Sequence, residues 1–140
     1  MTTAATATAT ATRVLTELDH VRIDRLLARA DRPSDDALHA LLDDADIVPT
    51  RQVPADVITM YTQATVEAPD GGNRRKLAVC YPEDADPNAG FVSVLSPIGT
   101  ALLGRRRGDT VEWVTPGGAV QRLHIVELLY QPESSGDYTL

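Results

Sequence analysis

The chain has 140 residues, 43% hydrophobic and 24% charged, the size of one compact domain or a small domain with an appendage, so a large multidomain enzyme is excluded. Twenty acidic side chains against 13 basic ones leave a formal charge of -7, which argues against general nucleic-acid binding because phosphate contacts need clustered cations. One Trp, one Phe and four Tyr leave little material for base-stacking platforms or a deep aromatic-lined pocket.

Residues 1–13 read as a disordered leader. Their MTTAATATATAT run has little to bury and lacks the basic start and apolar stretch of a secretory signal. Residues 14–50 form a helical front. From Thr16 to Ala30, Leu18, Ile23, Leu26, Leu27 and Ala30 mostly keep helical spacing, and Thr16 with Asp19 resembles a capping box. Asp31-Arg32-Pro33 breaks this helix, because Pro lacks the amide proton and disfavours helix in the residue before it. Ser34 then offers an N-cap, with Asp35 and Asp36 in the first turn of a second helix whose Leu38, Leu41, Leu42 and Ala45 share one face. The two stripes predict an antiparallel hairpin, a short coiled coil with arms of roughly 13 residues and about 20 Å. Prolines at 49 and 54 mark a linker and a boundary near residue 50.

Residues 51–140 change to an extended pattern. Strands are predicted at Val57 to Val66, Arg75 to Tyr81, Phe91 to Leu95, Thr110 to Thr115 and Val120 to Tyr130. Turn clusters at residues 69–73, 82–90 and 116–118 separate them. Ser96-Pro97 opens a short helix through Leu103, ended by Gly104. The fold class is therefore α+β, with a helical hairpin followed by a five-strand antiparallel-type sheet carrying one packed helix. Cys80 reads as a small buried apolar residue; being the single cysteine, it cannot close an intramolecular disulfide, which fits a reducing cytoplasm. No run of 18 apolar residues is present, so no membrane partner is expected.

Few residues suggest chemistry. His20, His39 and His124 lie far apart and none sits at metal-ligand spacing. No phosphate-cradling GxxxxGKS/T, strand-led GxGxxG or GxSxG elbow occurs, so neither a cofactor nor a catalytic residue is expected. Residues 1–70 carry a net charge of -6 and residues 71–140 a net of -1. Asp31, Asp35 and Asp36 crowd one hairpin tip, where they either complement the helix dipole or share a hard cation with a partner's site. Arg74-Arg75-Lys76 and Arg105-Arg106-Arg107 are solvated loop charge or meet an acidic protein surface.

The helical hairpin is followed by the strings Ser96-Pro97-Ile98-Gly99, Ala101-Leu102-Leu103-Gly104, Gly108-Asp109 and Thr115-Pro116-Gly117-Gly118. In this order the parts resemble the bacterial Gre transcription factor superfamily. The closing Tyr130-Gln131-Pro132-Glu133 and Gly136-Asp137-Tyr138 are similar to its branch of nucleoside diphosphate kinase regulators. The likeness covers roughly residues 15–140. It implies an FKBP-like domain over residues 51–140 and a coiled-coil hairpin before it, in a protein that binds RNA polymerase at the mouth of its secondary channel. In Gre factors the C-terminal domain grips the channel rim, and a long hairpin carries acidic residues to the catalytic magnesium, stimulating cleavage of backtracked RNA. Ser96, Pro97, Ile98 and Gly99 match the rim-contacting segment, and Asp31, Asp35 and Asp36 would face the channel.

An arm of about 20 Å is short for that reach, so the tip should stop before the active centre. The expected function is thus a non-catalytic regulator that occupies the secondary channel and competes with Gre factors, without contacting nucleic acid. The alternative is a cleavage-stimulating factor with Asp35 and Asp36 as metal ligands. A peptidyl-prolyl isomerase follows only by analogy from the FKBP-like fold, and Phe91 and Trp113 are expected in the core rather than in a pocket wall.

Overall fold

The computed structural model describes residues 13–30, 36–115 and 117–136. The architecture is mixed α+β. The chain opens on β1 (Val14–Thr16), α1 (Glu17–Ala30), α2 (Asp36–Asp44) and β2 (Asp46–Val48). The remainder holds β3 (Gln63–Glu67), β4 (Arg75–Cys80), β5 (Phe91–Ser93), α3 (Pro97–Leu102), β6 (Thr110–Val114) and β7 (Val120–Tyr130). The run at residues 1–12, the Ser34 cap and the tip residues Asp31 and Asp35 lie outside the described residues. Arg13, expected in the leader, is half-buried and bonded.

Thr16 Oγ1 accepts the Asp19 amide at 3.0 Å, the first half of the expected capping box. The Asp19 carboxylate is committed elsewhere: its Oδ2 accepts the Met60 amide at 3.1 Å, 41 residues further on. Asp19, Ile23 and Leu27 recur every fourth residue and are buried, so this stripe of α1 faces the core. Burial pushes the Asp19 carboxyl up to about 6; the bond from Met60 opposes the rise and Glu133 adds to it.

The second arm is shorter than expected, nine residues against the 14 of α1, because the chain leaves helix at Asp44 to form β2. β1 and β2 pair in parallel, Val14 opposite Asp46 and Thr16 opposite Val48. The segment entering α1 and the segment leaving α2 are thereby held side by side. A ring nitrogen of His20 lies 3.2 Å from the Leu42 carbonyl and ties α1 to α2. Leu38, Leu41 and Leu42 of α2 join Ile23, Leu27, Ile58, Leu102 and Ile125 in one apolar cluster, so both helices lie against the sheet domain.

The large sheet has the strand order β5-β4-β3-β7-β6. β7, the longest strand, runs antiparallel to both β3 and β6 and carries the buried Leu123 and Ile125. The expected all-antiparallel pairing fails at one edge. β4 and β5 run parallel, Ala78 opposite Phe91, because the 3₁₀ turns Pro82–Asp84 and Pro87–Ala89 carry the chain back across the edge before it pairs. The strand predicted from Val57 also starts late, at Gln63. Thr62 Oγ1 accepts the Thr59 amide at 2.9 Å and lies 2.8 Å from Thr59 Oγ1, so hydroxyl bonds replace the ladder there. Tyr61, at φ 66, then turns the chain into β3. Cys80 is buried at the end of β4, as expected.

Candidate functional site

The segment from Ser93 to Thr100 is fastened by bonds within itself. The Ser96 amide and hydroxyl both donate to the Ser93 carbonyl, at 2.9 and 2.6 Å, while Ser93 Oγ accepts the Leu95 amide at 3.0 Å. Ser96 Oγ accepts the Gly99 amide at 3.1 Å and caps α3, as its sequence predicts. Pro97 occupies the first helical position, where its missing N–H leaves no bond unmade, and is exposed. Gly99 is required by space: a Cβ there would sit 2.0 Å from the Ser93 carbonyl oxygen. Thr100 Oγ1 donates to the Val94 carbonyl at 2.7 Å and locks the loop to the buried residue that follows β5.

The other end of α3 is held by Arg13, whose guanidinium donates to the carbonyls of Thr100 at 2.5 Å and Leu103 at 3.3 Å. A cation at helical carbonyls complements their partial negative charge. Burial, and secondarily the like charge of Arg105, lowers the Arg13 guanidinium to about 10, which leaves it charged at neutral pH.

Beside this loop lies a cleft of about 790 Å³. Leu95, Pro97, Ala101, Trp113 and Val114 make its apolar walls, and Arg13 and Glu112 are its charged residues. The expectation that Trp113 and Phe91 are core residues needs correction. Trp113 packs against the core yet is half-buried and lines the cleft; Phe91, on the edge strand β5, is also half-buried. At the same end of the sheet Val114 and Val120 face each other across β6 and β7 and are 57% and 52% exposed.

Of the acids assigned to the hairpin tip, Asp36 is described. It is the exposed first residue of α2, and its neighbour Ala37 lines the same cleft as Ser96 and Pro97. The start of α2 and the loop entering α3 therefore border one surface. Among the described residues no group of three His, Cys, Asp or Glu is placed to hold a metal ion. No described helix is long and apolar enough to cross a membrane. The sequence reading missed Arg13, Leu95 and Trp113. Trp113 had a usable signal, since it lies two residues from Val111 and so on the same face of its strand.

Residues 53–130 match the family model for the C-terminal domain of the transcription elongation factors GreA and GreB. The chain belongs to this family. It is 40% identical over 132 residues to the Regulator of nucleoside diphosphate kinase of Escherichia coli, a match covering 92% of this chain and 97% of that protein. It is 35% identical over 91 residues to Transcription elongation factor GreA of Thermotoga neapolitana, covering 65% of this chain and 57% of that one. A solved structure, the prokaryotic transcription elongation factor GreA/GreB from Nitrosomonas europaea, superposes with a TM-score of 0.72 at 35% identity. It covers 85% of this chain and 98% of its own. The chain is thus a Gre-like regulator, and its match to the Regulator of nucleoside diphosphate kinase runs along nearly its whole length.

Proposed function

We propose that this chain is a non-catalytic transcription regulator that docks on RNA polymerase at the rim of its secondary channel and competes there with Gre factors. The observation that carries the reading is the loop Ser96–Gly99, self-fastened and presenting an exposed Pro97 over an apolar cleft. These residues are the ones by which the chain resembles the rim-gripping segment of Gre factors. A surface whose shape is set before binding loses less freedom on docking, and apolar walls beside it supply the desolvation.

The front of the molecule supports occupancy without catalysis. At about 1.5 Å per residue the helices reach about 21 and 13 Å, and both pack against the sheet domain, which suits a short coiled-coil hairpin on an FKBP-like body. Asp36, Asp43, Asp44 and Asp46 are exposed on α2 and the segment after it, an acidic face suited to a positively lined channel and repelled by nucleic acid. Isomerase chemistry gains no support, because Trp113 is the one aromatic residue among those lining the cleft. The test is a transcript-cleavage assay on a backtracked complex. RNA length is expected to stay unchanged at saturating protein; shortened RNA that disappears with Asp35→Ala and Asp36→Ala would assign the cleavage-stimulating role instead.

A further inference from the structure

A second cleft, of about 370 Å³, lies on the opposite chemistry from the first. Arg22, Arg25 and Arg29 line it from α1, Tyr61 from the turn before β3, and Tyr81 and Glu83 from the segment after β4. Positions 22, 25 and 29 fall on one helix face at three- and seven-residue spacing, so three guanidiniums border one space with a single carboxylate. Arg25 and Arg29 are exposed and make no ion pair among the described residues. The two tyrosine rings stand 5.9 Å apart at a tilt of 55°. The Tyr61 hydroxyl donates to Asp84 and is engaged. The Tyr81 hydroxyl is buried; the neighbouring Arg22 guanidinium can only donate to it, so the hydroxyl proton has no acceptor among the described residues.

These features ask for one ligand. Guanidinium forks match phosphate oxygens in pairs. Aromatic faces accept any nucleobase, because every base has a π-face. A buried hydroxyl whose proton has no acceptor is costly unless an arriving acceptor satisfies it. The cleft volume falls at the small end of the roughly 300–1,000 Å³ typical of small-molecule sites. We propose that this cleft binds a nucleoside polyphosphate, its base against Tyr61 and Tyr81 and its phosphates on Arg25 and Arg29. An acidic peptide would use the arginines and leave the ring faces idle.

Isothermal titration of the full chain with GDP, guanosine and pyrophosphate tests the assignment. GDP is expected to bind, with guanosine and pyrophosphate each weaker by about tenfold or more. The double variant Arg25→Ala, Arg29→Ala alters exposed side chains in favour of the best helix former, so circular dichroism should be unchanged while GDP affinity falls about tenfold or more. Tyr81→Phe keeps the ring and deletes only the hydroxyl; a drop of a few fold is expected. Absence of GDP binding, equal binding by the folded double variant, or pyrophosphate binding as tightly as GDP would each overturn the proposal.

Discussion

The two clefts are built in opposite ways. The one at α3 has a frame made within eight consecutive residues, Ser93 to Thr100, and its walls are apolar. The one at α1 gathers residues from Arg22 to Glu83, separated by most of a helix pair and three strands, and its walls are cationic and aromatic. A formal charge of -7 describes neither surface. The comparison teaches that this chain separates two chemistries: an apolar face suited to protein docking, next to Asp36 at the start of α2, and a cationic face on α1 suited to a small anion.

The contrast can be broken most severely at Gly99. Gly99→Ala drives a methyl group into the Ser93 carbonyl, so the loop must open. A loss of about 3 kcal/mol in unfolding free energy and of polymerase retention is expected, measured by thermal denaturation and co-purification. Next comes Asp19, which holds α1, and with it the second cleft, against the sheet domain. Its folded value of about 6 lies above the ordinary 3.8, so the protonated carboxyl favours the fold. That stabilisation is full below about pH 4 and lost as pH rises through 6. Relative to Asp19→Asn, the parent chain should lose about 2–3 kcal/mol between pH 4 and pH 7 in denaturant titrations. Asp19→Ala removes the acceptor of the buried Met60 amide and should cost about 1–3 kcal/mol at pH 4, and less at pH 7, where the parent carries the buried carboxylate.

Smaller effects sharpen the same picture. Ser96→Ala removes the α3 cap and should cost about 1 kcal/mol in stability, with weaker polymerase retention and unchanged GDP binding. Arg122→Ala breaks an exposed pair with Glu112 at 2.8 Å and should change stability by about 0.5 kcal/mol or less.

Legibility in the sequence followed the range of the interactions. The α3 cap, the helix start at Thr16 and the β6–β7 turn region are specified by neighbours within a few residues, and Ser96-Pro97 and Thr16 were sufficient signals. Asp19 shows the limit: its bond to Thr16 is local, whereas its bond to Met60 spans 41 residues and leaves no periodic trace. β1 and β2 were missed because three-residue strands are too short for a period of two to show. Val57 to Thr62 misled because β-branched residues favour strands, while paired threonine hydroxyls and a left-handed Tyr61 impose a turn. For the sites, Ser96 to Gly99 were legible as a motif. The cleft they border was not, since Ala37 and Trp113 meet it only through the tertiary fold.

The central claim is that this chain and a Gre factor share one docking place on RNA polymerase. A competition binding assay with labelled Gre factor prebound to the enzyme measures it directly. Displacement by this chain, lost on substituting Pro97 and retained in Arg25→Ala, Arg29→Ala, is the predicted result; simultaneous binding of both proteins would contradict it.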